Sequence, residues 1–146
     1  MKPVIAILLL LPLQVFCQQV ENDFDFSIFF GNCFNSDSIN LNINGRRVIL
    51  NQKLQTNPVG YAGCNVVQFR ENLVTNCMDS AKKHSRVPAR QILKLAISIN
   101  DSWSYQDFDM NNGKYILVEF CDIEDQKNKK IIIKQMKLPP EFLTKK

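Results

Sequence analysis

The chain has a single histidine, and this scarcity argues against several kinds of catalytic and metal-binding site. His84 lies between Lys83 and Ser85 in a polar stretch, and nothing in the sequence pairs it with a nucleophile. A nucleophilic triad needs a base held against its nucleophile, and the sequence contains no G-x-S-x-G, no H-E-x-x-H and no glycine-rich phosphate loop. We therefore expect His84 to occupy an exposed loop, and we predict a protein that is not an enzyme and uses no cofactor.

A dense block of charge is also missing. The chain has 18 lysines and arginines against 14 acidic residues, a formal net charge of +4, and no segment is basic enough to indicate a nucleic-acid partner. Two basic groups stand out, namely Arg46 with Arg47 and, in one loop, Lys82, Lys83, Arg86 and Arg90. If the fold brings them together, they would suit an acidic glycan or a lipid headgroup. Dispersed solubilising charge is the favoured interpretation.

A long apolar run occurs only at the start of the chain. Lys2 precedes the run from Val4 to Leu11, and Cys17 ends the segment before Gln18. This pattern is typical of a signal peptide and is too short for a membrane span. We predict a signal peptide at residues 1–17 and one exported domain at 18–146. The mature chain would be secreted or periplasmic, with no transmembrane segment. Lipidation of Cys17 is less favoured, because Phe16 is bulky.

Four cysteines remain after the signal peptide: Cys33, Cys64, Cys77 and Cys121. No pair has the C-x₂₋₄-C spacing of a zinc site, so we expect no metal. An even number of cysteines in an exported chain indicates two disulfides. A two-residue turn at Arg70-Glu71 would place Cys64 opposite Cys77, which leaves Cys33 to pair with Cys121.

Alternation of apolar and polar residues dominates the mature chain and predicts strands. The stretch from Phe24 to Phe30 predicts a first strand with one buried face. Asn44-Gly45 predicts a two-residue hairpin turn, with Leu41 opposite Val48 and Ile39 opposite Leu50. Similar stretches continue to Met136 between closely spaced turns. The expected fold is all-β, an antiparallel β-sandwich of about eight strands, immunoglobulin-like or prealbumin-like.

One segment allows two interpretations. Val66, Phe69, Leu73 and Cys77 have helical spacing, which gives an α+β alternative with one helix at about 65–83. The same segment is rich in valine, asparagine and threonine, and this composition favours two short strands instead. The polar residues 79–90 that follow are expected to form a loop.

Trp103 and Tyr105 are the most suggestive candidates for binding. They follow the Asn100–Ser102 turn at strand spacing, where exposed rings can stack on a sugar or anchor a protein. A buried core tryptophan is the interpretation favoured for Trp103 itself, because tryptophan is highly buried on average. We predict an exported, non-enzymatic binding module whose extracellular or periplasmic partner is a glycan or another protein. Its candidate binding residues are Trp103, Tyr105, Arg46 and Arg47.

Two other functions fit the sequence less well. An inhibitor of a secreted hydrolase would present the loop from Asn57 to Gly63, which Pro58 stiffens. A small carboxylate-dependent hydrolase would use Asp107 and Asp109, which strand spacing places on one face. A second acidic group, Asp122, Glu124 and Asp125, lacks the pattern of a calcium loop and is expected to form a charged turn.

Overall fold

A computed structural model describes residues 25–78, 80–121 and 129–143. The expected signal peptide at 1–17, Cys17 and the acidic group at 122–125 lie outside the described residues. The described strands are β1 (Phe26–Phe30), β2 (Asn35–Ile43), β3 (Arg46–Gln55), β4 (Cys64–Phe69), β5 (Asn72–Cys77), β6 (Lys83–Arg86), β7 (Ile92–Ile99), β8 (Ser102–Asp109), β9 (Tyr115–Cys121) and β10 (Lys130–Met136). Two 3₁₀ turns, Met110–Asn112 and Glu141–Leu143, accompany them. Within these ranges no helix has the length and apolarity needed to cross a membrane.

The strands form two sheets, which confirms the all-β expectation. The six-stranded sheet has the order β10-β9-β1-β4-β5-β6, and the four-stranded sheet has the order β3-β2-β7-β8. The described part of the chain thus has ten strands, where about eight were predicted. Neighbouring strands are antiparallel except β1 and β9, which run parallel. The sheets are therefore not purely antiparallel, because the first strand inserts beside a strand from the far end of the chain.

Three local expectations were wrong. The expected register of the β2–β3 hairpin fails because register shifts place Leu41 opposite Ile49 and Ile39 opposite Gln52. Residues 79–90 were predicted to be a loop, but Lys83–Arg86 pairs with β5 as the edge strand β6. An edge strand with both faces near solvent needs no alternating apolar residues, so it gives no periodic signal. The prediction of one buried face for β1 also failed. All five of its residues are buried, since β1 lies between β9 and β4 and the ring of Phe142 packs against Phe29.

The ambiguous segment forms strands. β4 and β5 make a hairpin in which Phe69 lies opposite Asn72 and Cys64 lies opposite Cys77. The turn residue Arg70 adopts a positive φ of 55°. The helix considered at about 65–83 is therefore absent, and the strand interpretation is confirmed.

Both sheets contribute to one hydrophobic cluster. Ile28, Phe30, Ile116 and Val118 of the six-stranded sheet belong to it, as do Leu41, Ile43, Leu95 and Ile97 of the four-stranded sheet. Because side chains alternate along a strand, the residues between these positions point away from the core. The same alternation therefore determines which residues lie in the core and which lie on the outer face of the four-stranded sheet.

The four cysteines form the two expected disulfides. Cys33 pairs with Cys121, and Cys64 pairs with Cys77 across the β4–β5 hairpin. The first bridge joins residues 88 positions apart and the second joins residues 13 positions apart. Because the Cys33–Cys121 bridge closes the longer loop, it restricts the unfolded chain more strongly than the Cys64–Cys77 bridge does.

We expect the two bridges to contribute unequally to stability. Replacing Cys33 and Cys121 together by serine should lower the free energy of unfolding by about 4–5 kcal/mol, and replacing Cys64 and Cys77 by about 3 kcal/mol. Denaturant unfolding of the two double variants measures this difference. Equal losses, or a non-reducing peptide map that joins Cys33 to Cys64, would contradict the assignment.

Candidate functional site

The two candidate aromatic residues lie on the outer face of the four-stranded sheet. In the β7–β8 register, Trp103 is opposite Ser98 and Tyr105 is opposite Ala96. Ser98 is flanked by the core residues Ile97 and Ile99. Since neighbouring residues on a strand point to opposite faces, Ser98 and Ala96 point outward. Trp103 and Tyr105 therefore share that outward face.

The aromatic pair is both exposed and ordered by its own contacts. The ring centroids of Trp103 and Tyr105 are 5.9 Å apart and the ring planes differ by 16°, a stacked arrangement. Trp103 is 47% exposed and Tyr105 is 74% exposed. The favoured expectation of a core tryptophan is thus wrong. Ser98, the cross-strand neighbour of Trp103, is fully buried although it points outward.

The turn that leads into β8 is held by a hydrogen-bonded asparagine. Asn100 and Asp101 both have positive φ, 47° and 67°, as a tight two-residue hairpin turn requires. The Asn100 side chain accepts a hydrogen bond from the backbone N–H of Ser38 at 3.0 Å and donates to Asp37 Oδ1 at 2.7 Å. These bonds attach the turn to β2. They thereby fix the start of β8, in which Trp103 is the second residue.

Amide side chains of β2 lie on the same outer face, two strands from the rings. Asn40 Nδ2 donates to Ser98 Oγ at 2.9 Å, and Asn40 Oδ1 accepts from the backbone N–H of Asn51 at 2.9 Å. Asn42 lies opposite Ala96 on the neighbouring strand. Its Oδ1 is buried and has no hydrogen-bond partner within the described residues. An unpaired buried acceptor is unfavourable, so Asn42 is a local cost within the face.

The fold separates the two candidate arginines. Arg47 is opposite Asn42, so it lies on the same outer face as Tyr105, three strands away and about 14 Å across the sheet. Arg46 is opposite the inward-pointing Ile43. Its Nη1 donates to the backbone oxygen of Arg86 at 3.0 Å, which ties β3 to β6 of the other sheet. Of the predicted binding residues, Trp103, Tyr105 and Arg47 share one face.

The loop from Asn57 to Gly63, which an inhibitor would present to its enzyme, is held by hydrogen bonds to its first residue. Asn57 Oδ1 accepts from the backbone N–H groups of Val59 and Tyr61 at 3.1 and 3.0 Å. The Asn57 N–H also donates to the Tyr61 carbonyl oxygen at 2.9 Å. Val59, at the outer end of this loop, is 69% exposed.

Asp109, one of the two candidate catalytic residues, has a structural role. Asp107 and Asp109 lie on one face of β8, as strand spacing predicted, but Asp109 Oδ1 accepts from the backbone N–H of Asn111 and caps a 3₁₀ turn. His84 is exposed on β6. The described ranges contain no group of three or more histidine, cysteine or acidic residues arranged to hold a metal ion.

An ion pair between the exposed Lys134 and a buried carboxylate of the six-stranded sheet was not predicted from the sequence. Glu119 is only 8% exposed, and it accepts hydrogen bonds from Lys134 Nζ at 2.8 Å and Asn32 Nδ2 at 3.0 Å. Burial alone would raise the pKa of Glu119, but the hydrogen bonds from Lys134 and Asn32 outweigh burial and lower it. The arrangement joins β9 to β10 and stabilises the sheet.

No protein-family model matches this sequence, no curated protein is significantly similar to it, and no solved structure matches it significantly. The interpretation of the aromatic face therefore rests on its own geometry and chemistry.

Trp103→Ala should lower the free energy of unfolding by only about 1 kcal/mol, because much of the ring is already exposed. Phe108→Ala on the same strand should lower it by about 3–5 kcal/mol, because Phe108 belongs to the core. Chemical denaturation of both variants measures the difference. A Trp103→Ala variant as unstable as Phe108→Ala would place the indole in the interior.

Lys134→Met should be most destabilising at neutral pH. The lowered pKa of Glu119 contributes stability above the unfolded pKa of about 4.3, and this contribution is lost as pH falls through the lower folded value. The loss of stability in Lys134→Met should therefore shrink as the solution is acidified.

Unfolding curves of Lys134→Met and of Lys130→Met, a control at an exposed position of the same strand, measure this effect. A difference between the two variants that is independent of pH would contradict the role assigned to Lys134.

Proposed function

We propose that this protein is an exported, non-enzymatic binding module that recognises a glycan on the outer face of its four-stranded sheet. In this proposal residues 1–17 are removed as a signal peptide. Residues 18–146 then form one domain, a sandwich of the immunoglobulin-like or prealbumin-like type, in a secreted or periplasmic location. The observation that carries the proposal is the exposed, stacked pair Trp103 and Tyr105.

The chemistry of this face favours a sugar. The face of an aromatic ring is electron-rich, and the C–H groups on one side of a sugar ring carry weak positive charge. The stacked rings therefore offer a surface on which a sugar ring can pack. Sugar hydroxyls need hydrogen-bond partners, and Asp107, which is exposed two residues after Tyr105 on the same face of β8, offers carboxylate acceptors.

The face is also ordered before it binds. The mutual stacking of Trp103 and Tyr105 limits their rotamers, and the bonds of Asn100 to Asp37 and Ser38 fix the preceding turn. Binding to groups that are already ordered loses less conformational entropy. An exposed pair held in this way is more typical of a recognition surface than of incidental surface residues.

Export is supported by the cysteines. Two disulfides join the four cysteines at 33, 64, 77 and 121, and such bonds persist mainly in oxidising compartments. An extracellular or periplasmic location is also where polysaccharides are abundant ligands. The proposed location and the proposed ligand are therefore consistent with each other.

A second candidate function, inhibition of a secreted hydrolase, is supported by the loop from Asn57 to Gly63. Its hydrogen bonds to Asn57 restrain its backbone, and Val59 is exposed to solvent. A rigid loop with an exposed apolar side chain can enter an enzyme cleft with little loss of entropy. Val59→Asp would impair this function and leave glycan binding intact.

The glycan proposal can be tested through the intrinsic fluorescence of the protein, because Trp103 is its single tryptophan. Titration with a panel of purified neutral and acidic polysaccharides should shift or quench this fluorescence. Tyr105→Ala should weaken binding about tenfold or more, as expected for an aromatic residue at the centre of a contact.

Leu138→Ala, another exposed apolar position, is the matched control and should bind normally. If no polysaccharide changes the fluorescence, or if Tyr105→Ala and Leu138→Ala bind alike, the glycan proposal fails. Capture of a hydrolase that is lost in Val59→Asp and retained in Tyr105→Ala would instead establish the inhibitor.

A further inference from the structure

Basic charge is concentrated in one third of the chain. Residues 46–90 contain eight of the 18 lysines and arginines but only two of the 14 acidic residues. All five arginines lie in this interval, at positions 46, 47, 70, 86 and 90. The sequence alone leaves open whether these charges are dispersed or gathered on one surface.

The fold gathers many of them along two neighbouring sheet edges. β3 is an edge of the four-stranded sheet and β6 is an edge of the six-stranded sheet. At one end the edges are joined by the 3.0 Å hydrogen bond from Arg46 Nη1 to the Arg86 carbonyl oxygen. At the other end Lys53 shares a cavity of about 210 Å³ with Cys77 and Met78, at the end of the strand that pairs with β6.

We define the basic side as the six exposed cations on or beside these two edges. They are Arg46, Arg47, Lys53, Lys82, Lys83 and Arg86. β3, β5 and β6 contain no acidic residue. Arg46 and Lys53 are seven positions apart on one strand, so the basic side extends for about 23 Å.

We propose that the basic side binds a sulfated polysaccharide. The guanidinium group presents paired donors that match the oxygens of a sulfate group. Cations spread over about 23 Å of two strands are matched better by a chain of repeated anionic groups than by one lipid headgroup. The proposal does not depend on Trp103 and Tyr105, because β3 and β8 are opposite edges of the four-stranded sheet. Arg47, which shares their outer face, is about 14 Å from Tyr105.

Elution from immobilised heparin by a salt gradient tests this proposal. The wild-type protein should be retained well above physiological ionic strength. The triple variant Lys53→Ser, Lys82→Ser, Lys83→Ser removes exposed lysines and keeps the bond from Arg46 to Arg86. It should elute earlier and bind heparin about tenfold more weakly.

A matched control removes the same charge elsewhere. Lys94→Ser, Lys130→Ser, Lys137→Ser alters three exposed lysines outside the basic side and should retain near-normal binding. Equal losses in the two triple variants would show attraction by net charge alone and overturn the proposal, as would a wild-type protein that heparin does not retain.

Two further measurements distinguish the basic side from the aromatic site, and a sulfated polysaccharide from a lipid surface. Tyr105→Ala should bind heparin normally, so failure of the aromatic site and failure of the basic side are distinguishable. Sedimentation with phosphatidylserine vesicles provides the lipid comparison. If the triple lysine variant loses vesicle binding but binds heparin like the wild type, the basic side is a membrane-binding surface. That result would contradict the proposal.

Discussion

The constraint that determines the rest of the structure is the burial of one face of each sheet in a common hydrophobic core. In β7 this requirement places Leu95, Ile97 and Ile99 inward. The intervening Ala96 and Ser98 must then point outward, and pairing with β8 places Tyr105 and Trp103 beside them. Exposure of the aromatic pair is therefore a consequence of core formation. A one-residue slip between β7 and β8 would exchange the two faces.

Local sequence signals correctly predicted the hairpin turns, because these are determined by residues adjacent in the chain. Asn44-Gly45 forms the expected turn, with positive φ at both positions, and the short turn at Arg70-Glu71 sets the pairing of Cys64 with Cys77. Departures from regular pairing were not predictable in this way. Irregularities in β2–β3 place Leu41 opposite Ile49 and Ile39 opposite Gln52, so the expected partner Leu50 is instead 54% exposed.

The candidate surfaces depend on contacts between distant parts of the chain. The bond between Asn100 and Asp37 joins residues 63 positions apart, and that between Arg46 and Arg86 spans 40 positions. No local pattern encodes such contacts, so the sequence could nominate Trp103, Tyr105 and the basic groups but could not place them. The structure puts the aromatic pair on β8 and Arg46 with Arg86 where the edges of the two sheets meet. We propose that these are two separate binding surfaces.

The central claim is that the indole of Trp103 faces solvent in the native, disulfide-bonded protein. Quenching of its fluorescence by acrylamide tests this claim directly, because no other tryptophan contributes. We predict efficient quenching of the native protein and an emission maximum close to that of a solvated indole. A blue-shifted, weakly quenched native spectrum that becomes accessible only on unfolding would contradict the account.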